Sequence, residues 1–222
     1  MLAIPAPARV TEPAERGTDI SSKPRSIAPP EISFNIGMPR PETNLLEVEM
    51  RVRAERFPEY VDLVMPVWTP GSYLIREFER NVQDFAARDG AGVALSWVKT
   101  NKNTWRVNPA GGREVVVTYR VYAKDLGVRT SEVTDRHAFW NNANILMCPD
   151  GSLRAPASVR IKPYGDWNIY TTLPPVAGQA NTFRAANFDE LYDSPFIVGK
   201  CQVLNFTVQN TPHRLVIDGE GN

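Results

Sequence analysis

Leu46-Glu47-Val48-Glu49-Met50-Arg51-Val52-Arg53 places an apolar side chain at every second position and a charge between each pair. Side chains of a β-strand point to opposite faces in turn, so this segment reads as a strand with one apolar and one solvated face. Upstream, Ile32, Phe34 and Ile36 alternate with Ser33 and Asn35 in the same way. Downstream, the same period predicts strands near Tyr60–Met65, Val93–Val98, Thr104–Val107, Glu114–Lys124, Ser158–Lys162, Asn168–Thr172 and Arg214–Ile217. Val115, Val117, Tyr119 and Val121 form the core face of the longest. Turn-forming runs separate them: Asp89-Gly90-Ala91-Gly92, Asn101-Lys102-Asn103, Asn108-Pro109-Ala110-Gly111-Gly112 and Pro149-Asp150-Gly151. Many short strands at such spacing predict an all-β fold, an antiparallel β-sandwich. One segment departs from the period. Leu74, Ile75, Phe78, Val82 and Phe85 fall at helical spacing behind a possible cap at Ser72. Because Val82–Arg88 runs into a turn and a following strand, we expect a helical turn over Ser72–Phe78 and then a strand. One or two short helical turns are the most this sequence predicts.

Composition narrows the functional classes. The 222 residues carry 25 Lys+Arg against 25 Asp+Glu, a formal net charge of +0. That balance lacks the basic footprint of a nucleic-acid binder. No apolar run approaches the ~18 residues of a membrane span. Residues 1–30 hold Pro5, Pro7, Pro13, Pro24, Pro29 and Pro30 and no apolar period, which reads as a Pro-rich, partly disordered tail. Residues 31–222 read as one β domain. Pro5 and Pro7 stand where a leader would have its apolar region, yet a leader removed earlier would leave the same sequence, so the compartment stays open.

Familiar catalytic signatures are missing. There is no G-x-x-x-x-G-K-[ST] phosphate loop and no G-x-S-x-G nucleophile elbow, since Gly71-Ser72 lacks the second glycine. Two cysteines, Cys148 and Cys201, and two histidines, His137 and His213, supply no metal-ligand pattern. Cys148 reads best as a small buried apolar residue, and His137 as a strand-entry histidine bonded to a nearby carboxylate or carbonyl. Trp97, Trp105 and Trp167 lie inside alternating strand patterns and suit packing between sheets, whereas Trp68 and Trp140 lie beside polar or turn-forming residues. From the residues alone, a neutral β-sandwich without a catalytic centre suits a binding or accessory module.

Several blocks in fixed order change that reading. They are Met65-Pro66-Val67-Trp68-Thr69-Pro70-Gly71-Ser72-Tyr73-Leu74-Ile75-Arg76-Glu77-Phe78, then Lys99–Trp105, Val128–Ser131, His137–Asn142 and Asp189–Phe196. Together they resemble the N-terminal β domain of the glycyl aminopeptidase family, zinc metallopeptidases that typically join a β domain, a catalytic domain and a PDZ domain. The resemblance implies a non-catalytic domain: the zinc of such enzymes is held by H-E-x-x-H in the catalytic domain, and neither histidine here is followed by Glu. It implies the missing catalytic domain as partner, a peptide as substrate of the full-length parent, and no metal or cofactor in this chain. Asn141 and Asn142 become candidates for contact with the peptide amino terminus, and Tyr73 a further candidate to face the substrate. Family members usually carry Asn-Gly where this chain has Asn141-Asn142, and Asn is the residue next most tolerant of the backbone a glycine adopts. Arg76, Glu77, Arg80, Trp68 and Asp193 become candidates for the interdomain surface. The competing expectation is a free-standing module for carbohydrate or protein, because sandwiches host many functions.

Overall fold

A computed structural model describes residues 28–219. Most of the segment expected as a tail, residues 1–27, lies outside the described residues. In chain order the strands are β1 (Glu31–Gly37), β2 (Leu45–Arg53), β3 (Val61–Val64), β4 (Val82–Asp89), β5 (Trp97–Asn101), β6 (Thr104–Val107), β7 (Glu114–Tyr122) and β8 (Ser131–Val133). They continue as β9 (His137–Trp140), β10 (Cys148–Pro149), β11 (Ala157–Lys162), β12 (Asn168–Tyr170), β13 (Thr182–Ala185), β14 (Phe196–Gly199), β15 (Gln202–Val208) and β16 (Thr211–Ile217). The fold is all-β, as the period-two pattern predicts.

A six-stranded sheet, β13-β11-β1-β2-β7-β4, forms the backbone of the domain. Its apolar ladder follows from the register. Ile32 faces Val52, Phe34 faces Met50 and Ile36 faces Val48, and across the next seam Met50 faces Val117 and Val48 faces Tyr119. All of these are buried, and each such side chain removed from water contributes roughly 1.5–3 kcal/mol. The opposite face is polar: Glu49 binds Arg51 and Arg88, and Arg51 also reaches Glu114. Every pairing in this sheet is antiparallel except β1 with β11, which is parallel.

Two four-stranded sheets, β10-β3-β6-β5 and β12-β14-β9-β8, complete one hydrophobic core with it. Aromatic contacts mark the seams. Phe85 of β4 packs on Trp97, Trp105 and Tyr119, with centroids 4.8, 5.6 and 6.3 Å apart. Phe196 of β14 lies between Trp140 and Phe183, at 5.2 and 5.5 Å. Trp105 and Trp167 are buried as expected, whereas Trp97 sits on an exposed edge strand and remains 42% exposed. Trp140, which its polar neighbours had set apart, is fully buried. A fourth, two-stranded sheet joins β15 and β16.

The helical expectation needs correcting in place and in number. Ser72–Phe78 is not helical; the turn is a 3-10 segment at Phe78–Asn81, leading directly into β4. Ser72 is instead engaged in the preceding loop, where its hydroxyl donates to the Leu74 carbonyl, so it caps nothing. Three further single turns occur, 3-10 at Pro41–Thr43 and Asn142–Asn144 and α-helical at Phe188–Tyr192 (α1). The last has a true N-cap, with the Asn187 side-chain oxygen accepting from the Glu190 N–H at 2.9 Å.

Candidate functional site

Three segments converge on one region: the loop Met65–Glu77, the bend at Asn141–Asn144, and α1 with the residues after it. The loop has no regular secondary structure, so its backbone groups need other partners. Met65 N–H donates to the Asn103 carbonyl, and the Asn103 side-chain amide donates back to the Met65 carbonyl, each at 2.8 Å. Pro70 and Gly71 make the tight turn that brings Ser72 N–H to the Thr69 carbonyl, and Gly71 takes φ +83°, where a side chain would be strained. The Trp68 indole N–H then donates to the Ser72 carbonyl at 2.8 Å, fixing the ring. Arg76 closes the loop, its amide donating to the Val67 carbonyl at 2.7 Å and its Nε to the Ser72 hydroxyl at 3.3 Å. From the neighbouring loop, Arg129 donates to the Gly71 carbonyl at 3.2 Å.

The two adjacent asparagines take opposite roles. Asn142 is fully buried: its side-chain oxygen accepts from the Trp140 indole N–H at 3.0 Å. Its amide donates to the Leu191 and Ser194 carbonyls at 2.8 and 2.7 Å. No exposed surface of Asn142 remains for a ligand, and its bonds tie the bend to the end of α1. Asn141 is partly exposed and donates to the Val128 and Thr130 carbonyls at 3.0 and 3.4 Å. Those bonds use its side-chain nitrogen and orient the amide, while its side-chain oxygen has no donor among the described residues.

Two cavities flank this arrangement. The smaller, 250 Å³, is lined by Asn141, Asn144, Arg129, Gly71, Phe78 and Asp193 among others. The larger, 440 Å³, runs from Trp68 and Pro66 to Leu153 and Asp189. Thr69, Pro70, Tyr192 and Asp193 line both, so the cavities meet there. Of the residues singled out from sequence, Trp68 and Asp193 therefore share one cavity, and Asn141 and Asp193 the other. Tyr73 lines neither and is 97% exposed on the loop's outer side, next to exposed Leu74 and Ile75. Glu77 is held by Lys102 at 2.6 Å; the ammonium lowers the carboxyl's pKa and the carboxylate raises that of the amine. Arg80 is exposed. Arg129, Asp150, Asp189 and Tyr192 belong to the region and were not singled out. Asp189 and Asp193 are one helical turn apart, a spacing visible in sequence only once α1 is recognised.

Elsewhere the titratable groups are structural. His137 lies between two carboxylates, its Nε2 2.9 Å from Glu132 and its Nδ1 2.8 Å from Asp218. Cys148 is buried, and burial, with the nearby Asp150 charge, pushes its thiol up to about 12. His213 stacks on Phe206 at 5.3 Å. Among the described residues no three His, Cys, Asp or Glu side chains are grouped to hold a metal ion.

A family model, the peptidase M61 N-terminal domain, matches residues 33–200. Among solved structures, an aminopeptidase N family protein from Idiomarina loihiensis superimposes with a TM-score of 0.79 at 29% identity, over 85% of this chain and 32% of that one. The chain thus spans about a third of that protein's length. A mutant M1 zinc metallopeptidase from Deinococcus radiodurans, bound to Tyr-Ser-Ala substrate, matches with a TM-score of 0.51 at 13% identity, over 86% of this chain and 47% of that one. At that identity the likeness is one of fold. A search of curated proteins gave no match.

Proposed function

Because the chain belongs to the peptidase M61 N-terminal domain family, we propose that it is the substrate-side β domain of a zinc aminopeptidase, inert by itself, which packs on a catalytic domain and helps hold the peptide amino terminus. The observation that carries the reading is the pairing of coverages: most of this chain corresponds to a third of an aminopeptidase-family protein. The residues present do not fit a zinc site. Both nitrogens of His137 already face carboxylates, His213 stacks on an aromatic ring, and Cys148 is buried with its thiol protonated. The reading therefore assigns the metal and the chemistry to other sequence.

Two surfaces suit contact with a second domain. A two-stranded hairpin is marginal in water without something packed against it. β15 and β16 nevertheless pair Leu204 with Leu215 and Phe206 with His213, and leave Leu204, Phe206, Val208 and Leu215 about half exposed. Tyr73, Leu74 and Ile75 form a second exposed apolar group. For the substrate, the side-chain oxygen of Asn141 would accept from an ammonium without adding charge, in a cavity that Asp193 also lines. Asn142 has no such surface and supports the bend from beneath.

The test uses both the chain and the full-length parent. The chain alone should release nothing from Ala- or Gly-terminated peptides, and zinc-dependent turnover by it would overturn the reading. In the parent, Asn141→Ala should raise KM for free-amine peptides about tenfold with kcat little changed, the loss of one bond to a charged group. Unchanged kinetics would remove Asn141 from the substrate site.

A further inference from the structure

The larger cavity is a separate matter from the amino-terminal contact at Asn141. Its apolar lining comes from Val64, Pro66, Cys148, Pro149 and Leu153, with the aromatic rings of Trp68 and Tyr192. Its volume, 440 Å³, lies in the range of small-ligand pockets, about 300–1,000 Å³. Three carboxylates also line it, Asp150, Asp189 and Asp193, and no Lys, Arg or His does. None of the three forms an ion pair among the described residues; the one local bond is from the Gly151 amide to Asp150 at 3.0 Å.

Like charges over a low-dielectric slot concentrate a negative potential. An anion is repelled from such a place. A wholly apolar occupant would strip water from three carboxylates and return nothing to them. The complementary ligand has an apolar stem several carbons long and a cationic end, the shape of lysine and arginine, whose stems lie along apolar surface while the head stays at the rim. Trp68 adds an indole held in place by its bond to the Ser72 carbonyl, and a cation over such a ring gains further attraction. We propose that this cavity binds a lysine or arginine side chain carried by a peptide ligand, with Asp189 and Asp193 pairing with the charged head.

The proposal concerns a side chain and the preceding one an α-amine, so the two are separable with an acetylated probe. The full chain is titrated with N-acetyl-Gly-Arg-Gly-amide and with the same peptide carrying neutral citrulline for arginine. Binding is read from the Trp68 indole N–H signal in a ¹H–¹⁵N spectrum, identified by its loss in Trp68→Phe. The arginine peptide should shift that signal saturably, and citrulline should bind about tenfold more weakly, the scale of one charge-assisted bond. The double variant Asp189→Asn, Asp193→Asn should weaken the arginine peptide by a similar factor. Both positions are exposed, and an otherwise unchanged amide spectrum establishes that the variant is folded. Equal binding of citrulline and arginine by the unmodified chain, or a Trp68 signal that does not move, would overturn the proposal whatever the variant does. Free-amine Gly-Gly-Gly, titrated separately, reports on the Asn141 contact.

Discussion

Replacing Asn142 by alanine tests whether the bend is held from beneath as its bonds indicate. The substitution removes the acceptor of the Trp140 indole N–H and the donor to the Ser194 carbonyl, both within a fully buried setting. The Leu191 carbonyl loses the same amide but still accepts from the Ser194 N–H at 3.3 Å. Two groups are thus left without partners, and each buried orphan costs about 1–3 kcal/mol, giving a loss of about 4 kcal/mol. For a domain whose net stability is about 5–15 kcal/mol that is a large share. At about 2–4 °C per kcal/mol for a chain of this size, the thermal midpoint should fall by about 10 °C. Thermal and urea unfolding followed by circular dichroism measure it. Asn141→Ala is the internal control: it removes bonds at a partly exposed site and should cost under about 1 kcal/mol. If Asn142→Ala cost less than about 1 kcal/mol, or Asn141→Ala proved the more damaging, the division of roles between the two would be wrong.

Two further outcomes follow from the titratable groups. At pH 8 a thiol reagent should modify Cys201 and spare Cys148 until denaturant is added, because burial holds the Cys148 thiol at about 12 while Cys201, raised by a weaker burial, is partly exposed; two thiols reacting at one rate would contradict this. Stability should fall in acid. Burial pushes Glu49 up, but hydrogen bonds from Arg88, Asn35 and Arg51 outweigh it, and the bond from Arg106 holds Asp62 down, so both fold with carboxyls below their ordinary 4.5 and 3.8. A depressed folded value gives stability that is present above the ordinary value and lost as pH falls through the folded one. The urea midpoint should therefore drop below about pH 4.5, less steeply in Glu49→Gln, and a flat profile from about pH 5 to 3 would remove these pairs from the account.

Most of the large sheet is legible in sequence because solvent lies against one of its faces. Where one face is wet, polar residues alternate with apolar ones, as β1 and β2 show throughout and β7 shows apart from buried Val116. β14 does not, since Phe196, Val198 and Gly199 are all buried and only Ile197 is partly exposed. The partner of β1 is likewise invisible locally: Phe34 opposite Val159 across a parallel seam joins residues 125 apart in sequence. The helical spacing at Leu74–Phe85 misled because Leu74 and Ile75 are exposed and Phe85 belongs to a strand; only Phe78 is buried of the first three. Asn141 and Asn142 are one residue type at adjacent positions. Nothing in their letters says that the first, with extended φ −90° and ψ 130°, faces a cavity, while the next begins a 3-10 turn and points inward.

The loop Met65–Glu77 shows why site and fold are inseparable here. A wall made of irregular chain is useful to a ligand only if it is ordered before the ligand arrives, since ordering it on binding subtracts from affinity. Regular structure would order it by ladder bonds, but would also spend every backbone group along one direction and leave no concave surface. This loop instead closes on itself. Ser72 is its centre: its carbonyl holds Trp68, its hydroxyl meets Leu74 and Arg76, and its amide closes the turn on Thr69. A buried serine at the middle of an exposed loop makes little sense for packing, since it contributes almost no apolar area. It makes sense for keeping Trp68, Thr69 and Pro70 in fixed positions where two cavities meet. The polar residues of this block thus serve shape, which leaves the carboxylates of the larger cavity and the Asn141 side-chain oxygen of the smaller one for the contacts proposed above.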